Sequence, residues 1–404
     1  MTSRRAASIV VAVVVATGIV RLKADATYNR GGYVDRVRYG DRGPSVVASG
    51  FSRTTWFGFR PTTRSGSGQT TQTASLVDTL SDRLTDREFW TLFSELSEPG
   101  GAFKSDNLVS NELRFQTVIP ALLRSVGPGG VYLGVGPEQN FTYLAALKPK
   151  LAFIVDVRRA NADLHLMYKA LFEVSADRAD FVSRLFSRRR AAGIDARSTA
   201  AEIFDAYSRV EPNDRLFLQN LAVVRNQLAT EHGFPMSADD FDRIESIAHV
   251  FFLLGPKLQY SPFGSFGGTV QPTYAELMAA TDGAGAPRGF LASEAAFAAV
   301  KDIERRNLVV PVVGNFAGPT ALRAVGRYIR GRGATVSTFY VSNVEEYLQQ
   351  DGVWQDFCAN VAALPLDETS TFIRSVRVSV PEPPGTGFAT RLDNISADLH
   401  RCVG

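Results

Sequence analysis

At 404 residues, 45% hydrophobic and 21% charged, the chain is long enough to bury a large core in one domain or two. Its formal net charge is +3, but residues 1–26 hold four of the 44 Lys and Arg and one of the 41 Asp and Glu, so the remainder carries 40 of each and no net charge. That balance excludes a charge-driven nucleic-acid binder.

Arg4 and Arg5 precede an unbroken small and apolar run, Ala6 to Val20, and Ala24-Asp25-Ala26 has the small-x-small form of a cleavage site. These are the three parts of a secretory signal peptide over residues 1–26. The run is shorter than the ~20 residues of a spanning helix. The mature chain is therefore expected to be exported, periplasmic or secreted, with no stable membrane span. Ser3-Arg4-Arg5 also fits a twin-arginine route. Residues 27–74 are rich in Gly, Ser, Thr and Arg without a sustained period, and read as a flexible leader.

Residues 75–173 hold N-terminal helices and the first half of an α/β core. Leu76, Leu80 and Leu84, then Phe89, Leu92, Phe93 and Leu96, predict two helices with Thr85 and Asp86 as caps between them. Asp106, Asn107, Asn111 and Glu112 form a polar entry to a helix over Glu112 to Arg124, which Pro120 should kink. Substrate contact is expected from Asn111 and Glu112, although a capped helix entry explains the same residues. Next comes the most informative stretch. Val131 to Leu133 reads as a strand, Gly134-Val135-Gly136-Pro137-Glu138-Gln139 as a turn, Asn140 to Leu147 as a helix that Asn140 caps, and Leu151 to Val155 as a second strand ending on Asp156. Glycine at 134 and 136 allows a tight turn and close approach of a ligand. Asp156 falls about 20 residues beyond them, the spacing at which a carboxylate meets a ribose.

After a helix over Asn161 to Glu173, residues 174–272 read as a helical insertion ending in a loop, Gly255 to Pro272, that fits a lid or a packed surface loop. The alternation resumes over residues 273–380. It has helices at Tyr274 to Ala280 and Ser293 to Asn307, and a strand at Leu308 to Val313 with Pro311 against it. A helix at Thr320 to Arg332, a strand at Thr335 to Tyr340, a helix through Tyr347, a strand near Ala362 to Leu364 and a last strand at Phe372 to Val378 follow. Residues 381–404 form a tail. Cys358, four residues after Trp354 in a helical pattern, reads as a buried small hydrophobe; a bond to Cys402 would pin the tail, which spacing alone does not decide.

Gly134 to Asn140, Asp156 to Arg159, Gly314 to Asn315 and Ser342 to Glu345 each follow a predicted parallel strand. In an open α/β sheet such turns converge on one crevice, and a small-molecule ligand is the expected partner. Arg158 beside Asp156 suits a carboxylate or phosphate; Asn315 and Asn343 also fit turns, and Glu345 fits a helix N-terminus. His165, His232, His249 and His400 have no ligand spacing, and no metal motif is present.

The Val131 to Asp156 unit resembles the cofactor half of a class I S-adenosylmethionine-dependent methyltransferase. Roughly Ser75 to Val378 resembles an uncharacterised family of bacterial exported or hypothetical proteins with such a core. The resemblance implies an α/β fold, a doubly wound, mostly parallel, Rossmann-like sheet with a helical insertion. It implies S-adenosylmethionine as cofactor, with Gly134 and Gly136 passing its methionine part, Asp156 on the ribose and Asn315 near the transferred methyl. Tyr132 stands where the pattern has an acid, and Glu138 where it has a third glycine. An acid at Glu138 disfavours a pyrophosphate, so NAD is not the expected ligand. A non-catalytic protein binding a nucleoside-like or other small ligand outside the cytoplasm is the alternative.

Overall fold

The computed structural model describes residues 78–105, 107–127, 129–260, 271–378 and 387–402, which fall in one unit spanning Gln72–Gly404. The signal peptide, the leader, Asp106 and residues 261–270 of the expected lid lie outside the described residues.

The first helix, α1 (Asp86–Leu96), begins where Thr85 accepts from the Glu88 amide and Glu88 accepts from the Thr85 amide, a complete capping box. Residues 78–84 do not form the expected second helix; Thr79 and Leu84 donate instead to the carbonyls of Arg332 and Arg306. Pro120 kinks nothing: a 3-10 turn, Phe115–Val118, precedes it, and Pro120 lies in the first turn of α2 (Ile119–Ser125), where its missing N–H costs little.

Strand β1 (Val131–Gly134), helix α3 (Gln139–Leu147), strand β2 (Leu151–Asp156) and helix α4 (Arg159–Val174) follow as the periodicity predicts. The insertion is helical throughout its described residues. It comprises α5 (Arg178–Leu185), α6 (Ala200–Ser208), α7 (Asp214–Asn226) running on into a π turn (Gln227–Glu231), and α8 (Ala238–Leu254). Then come α9 (Tyr274–Ala279) and α10 (Glu294–Arg305). Phe172 of α4 and Phe181 of α5 stack with centroids 4.6 Å apart, and each meets Phe290 and, in α10, Phe297 at 5.4–6.2 Å, so the insertion shares its core with the sheet's helices.

The chain returns through β3 (Val309–Val313), α11 (Ala321–Gly331), β4 (Val336–Ser342), α12 (Val344–Gln350), α13 (Trp354–Ala362), β5 (Thr371–Arg377), β6 (Phe388–Asn394) and α14 (Ile395–Leu399). The sheet order is β3-β2-β1-β4-β5-β6, parallel from β3 to β5, with β6 antiparallel to β5. The chain thus starts at the centre, builds outward to β3, and returns to the other side of β1. Pro311 is compatible with β3 because β3 is an edge strand, paired only with β2. The end of that edge is met by the segment after α1: Val313 donates to Ser97 Oγ at 2.9 Å and accepts from the Glu98 amide at 2.7 Å.

Two further expectations change. Residues 362–364 are not a strand, because α13 runs to Ala362 and Ala363 keeps helical dihedrals. The tail holds a strand that the sequence did not show, since Phe388–Asn394 pairs with β5 in full register. Cys358 is no free thiol, since it bonds to Cys402 with their Cα atoms 5.8 Å apart, tying the tail to α13. Among the described residues no helix is long and apolar enough to cross a membrane.

Candidate functional site

The turns that leave β1, β2, β3 and β4 open onto one crevice of about 470 Å³. Its wall includes Gly136, Pro137 and Gln139 after β1, Asp156 and Arg158 after β2, Gly314 and Asn315 after β3, and Ser342 and Asn343 after β4. The crevice straddles β1 and β4, the neighbours between which the sequence order reverses. Convergence of four sheet-edge turns was the main expectation, and the fold delivers it.

A segment preceding β1 roofs these turns. Gly101 donates to the Val157 carbonyl at 2.7 Å, and a Cβ there would sit 2.6 Å from Val157 Cγ2, so only glycine lets the chain pass so close. Phe103 meets Tyr347 of α12 edge-on with centroids 5.1 Å apart, and Lys104 lies 5.6 Å from the same ring. Asn107, Asn111, Glu112 and Tyr260 then line the crevice. Asn111 and Glu112 were expected here; Phe103, Tyr260 and Tyr347 were not, because each reads as an ordinary packing aromatic.

The β1 turn is built differently from its sequence reading. A Cβ on Gly134 would lie 2.1 Å from Asn140 Oδ1 and 2.8 Å from Tyr132, so this glycine makes room for the core and stands behind the crevice wall. Gly136, at φ +75°, is the glycine that faces the crevice. Asn140 is not a cap. Fully buried inside α3, its Nδ2 donates to the carbonyls of Val135, Gly136 and Pro137 at 2.8–3.2 Å, and its Oδ1 accepts from Tyr132 Oη at 2.9 Å. His165 of α4 adds a contact from Nε2 to the Gly136 carbonyl at 2.9 Å; burial depresses its pKa to about 4, so at neutral pH the ring is uncharged and Nε2 carries the donated proton. Asn140 and His165 therefore shape the turn and stay away from any ligand.

Glu138 also faces inward. Its Oε1 accepts from the Ser110 amide at 3.1 Å, and burial raises its pKa to about 8. It is absent from the crevice wall, so its charge does not set the crevice's preference between anions and cations. The acid that reaches the crevice is Glu112. Gln139 Nε2 donates to Tyr340 Oη at 2.8 Å, and Tyr340 donates to Glu112 Oε1 at 2.6 Å; Ser342 Oγ donates to the same oxygen. Burial pushes the Glu112 carboxyl up from its ordinary range, against these hydroxyls and that of Ser375. Tyr340 was missed because a hydroxyl at a strand end carries no pattern of its own, whereas Ser342 was expected at the crevice as part of the turn after β4.

Asp156 and Arg158 line the crevice as a closed pair, each about 7% exposed or less. Arg158 donates from its amide and Nε to Oδ1 at 2.9 and 3.1 Å, and from an Nη to Oδ2 at 3.0 Å. Asn315 lines the crevice and also closes its own turn, accepting from the Ala317 amide at 2.9 Å. Asn343 lines it at the start of α12, with Nδ2 3.4 Å from Glu346. Glu345 does not: its two oxygens accept from Arg374 at 2.6 and 2.9 Å, which joins α12 to β5 and removes it from the substrate side.

A family model described as a domain of unknown function (DUF7790) matches residues 107–396, a span that holds every crevice turn and the whole sheet. No curated protein matches the chain.

Proposed function

This chain belongs to the DUF7790 family, and we propose that its crevice binds S-adenosylmethionine and that the protein is an exported, methyltransferase-like enzyme. The observation that carries this reading is the gathering of four distant turns where the strand order reverses. In doubly wound, Rossmann-like sheets, ligands bind outside the carboxyl ends of the strands at that point, and the order β3-β2-β1-β4-β5-β6 is compatible with such a fold. A crevice of about 470 Å³ suits a nucleoside with its tail. Gly136 would admit the methionine part, Asp156 would meet the ribose, and Asn315 and Asn343 would flank the transferred group. Holding donor and acceptor in line supplies most of the rate in such a transfer. Export is supported by the pattern of residues 1–26 and by the Cys358–Cys402 bond, since disulfides persist in oxidising compartments. A twin-arginine route would carry the folded chain together with a bound cofactor.

The Asp156–Arg158 pair favours a second reading, a non-catalytic protein for another small ligand, because both carboxylate oxygens already accept from Arg158. Denaturing the purified mature protein and identifying released small molecules by mass spectrometry separates the two. Copurified S-adenosylmethionine or S-adenosylhomocysteine is the expected result. Absence of both, with no heat on calorimetric titration of S-adenosylmethionine, retires the enzyme in favour of the binding protein.

A further inference from the structure

We propose that the crevice is a site for an organic cation, that Glu112 is its counter-ion, and that uptake of the cation expels a proton from the protein. This rests on the ligand reading above and adds the charge of the group that lies over Glu112.

The observation is a buried carboxyl on a crevice wall that forms no ion pair among the described residues. Glu112 is 2% exposed and lines the crevice. The hydroxyls of Tyr340 and Ser342 of β4 donate to its Oε1, and its Oε2 has no hydrogen-bond partner among the described residues. The other titratable groups that face it are Tyr132 of β1, Tyr143 of α3 and Glu138 ahead of α3, and none is a cation. Two more acceptors share the wall: Gln139 Oε1 and Asn107 Oδ1 are buried with no hydrogen-bond partner. The Gln139 amide is oriented by its own bond, since Nε2 must donate to a Tyr340 hydroxyl whose proton goes to Glu112. The acceptors around Glu112 thus have no balancing charge of their own, and the two cations on the crevice wall are engaged elsewhere, Arg158 with Asp156 and Lys104 over the Tyr347 ring.

An isolated ionised carboxylate in such a place is costly, which favours the protonated form; burial raises the Glu112 pKa accordingly. A cation over the carboxyl reverses the preference and lowers that pKa on binding. Below the empty-state pKa, binding therefore releases a proton, and affinity falls as pH falls. A metal ion is the wrong cation, because among the described residues no three His, Cys, Asp or Glu gather as a metal site. An ammonium or sulfonium centre, shaped like a small organic group and served by one carboxylate with amide oxygens, fits.

The test uses S-adenosylhomocysteine, which carries an ammonium, and 5′-methylthioadenosine, which has the same nucleoside and sulfur without it. Each is titrated calorimetrically into the full mature protein near pH 6 in two buffers of different ionisation enthalpy. Wild type should release protons, up to one per S-adenosylhomocysteine, and none with methylthioadenosine. Glu112→Gln, which keeps the shape, should release none and bind S-adenosylhomocysteine about tenfold more weakly or worse, with methylthioadenosine unchanged. Proton-neutral binding of S-adenosylhomocysteine by wild type between pH 5 and 8 overturns the inference without any variant. If neither nucleoside binds, the adenosylmethionine reading fails on its own. Choline then decides the charge: proton-releasing binding that Glu112→Gln abolishes upholds Glu112 as counter-ion, and no binding overturns it.

Discussion

Two buried carboxyls in this molecule, Glu112 and Glu173, are surrounded in opposite ways. Glu173 of α4 accepts from Lys169 Nζ at 2.8 Å, His232 Nε2 at 2.7 Å and Gln227 Nε2 at 2.8 Å, and the other His232 nitrogen meets Asp86 of α1 at 2.6 Å. Burial alone would raise its pKa, but the bond from His232 and the Lys169 charge outweigh it and the carboxyl sits below its ordinary range. Glu112, with hydroxyls only, sits above. Glu173 is thus a structural clamp joining α1, α4 and the π turn, with its charge balanced from within. Glu112 is left for something outside the chain to balance. Imbalance alone does not make a site: burial also raises Glu304 of α10 to about 8, yet it lies away from the crevice wall. The difference is imbalance on a wall that a ligand can reach.

Removing each partner should expose that contrast. Glu173→Ala strands Lys169 and His232 in the interior and should cost ~3–5 kcal/mol, read as a lowered denaturant midpoint. Asn140→Ala frees three turn carbonyls and the Tyr132 hydroxyl, and should cost about 1–3 kcal/mol while weakening nucleoside binding, measured by unfolding and titration on one preparation. The clamp should also give stability a pH dependence. Burial lowers the His232 pKa, but its bond to Glu173 more than offsets this and leaves it raised. Its contribution is therefore complete below the unfolded value and is lost as pH rises through the folded one, by about 1.4 kcal/mol for each unit of displacement. Glu173, with its pKa lowered, contributes above its unfolded value and loses this as pH falls through the folded one. Unfolding free energies from pH 2 to 9 should show both limbs, and His232→Gln should flatten the upper one. Smallest of all, Glu112→Gln should change stability by less than about 1 kcal/mol, because its hydroxyl partners bond an amide oxygen as well; a loss comparable to Glu173→Ala would make Glu112 a structural acid too.

What could be read in advance follows from which residues carry a period. Val131 to Asp156 alternates apolar strand, glycine turn and helix, so the unit and the four-turn crevice follow from sequence spacing. Asn140 could not be assigned, because an asparagine at a helix start looks the same whether it caps the helix or reaches back to the preceding turn. Glu138 and Glu112 are both buried and differ in where they point: Glu138, two residues after Gly136, turns away from the crevice wall, and Glu112, 26 positions before it, reaches the wall from the segment that precedes β1. Strand β6 stayed hidden because Phe388–Asn394 mixes Arg391 and Asp393 with apolar residues; Asp393 pairs with Arg374 across to β5 and with Arg391 along its own strand.

The most direct measurement is a crystal structure of the mature protein grown with S-adenosylhomocysteine. We expect the nucleoside between Gly136, Asp156 and Asn343, with its ammonium over Glu112. Clear electron density for an empty crevice at saturating ligand, or for the ligand bound elsewhere on the molecule, would contradict the assignment.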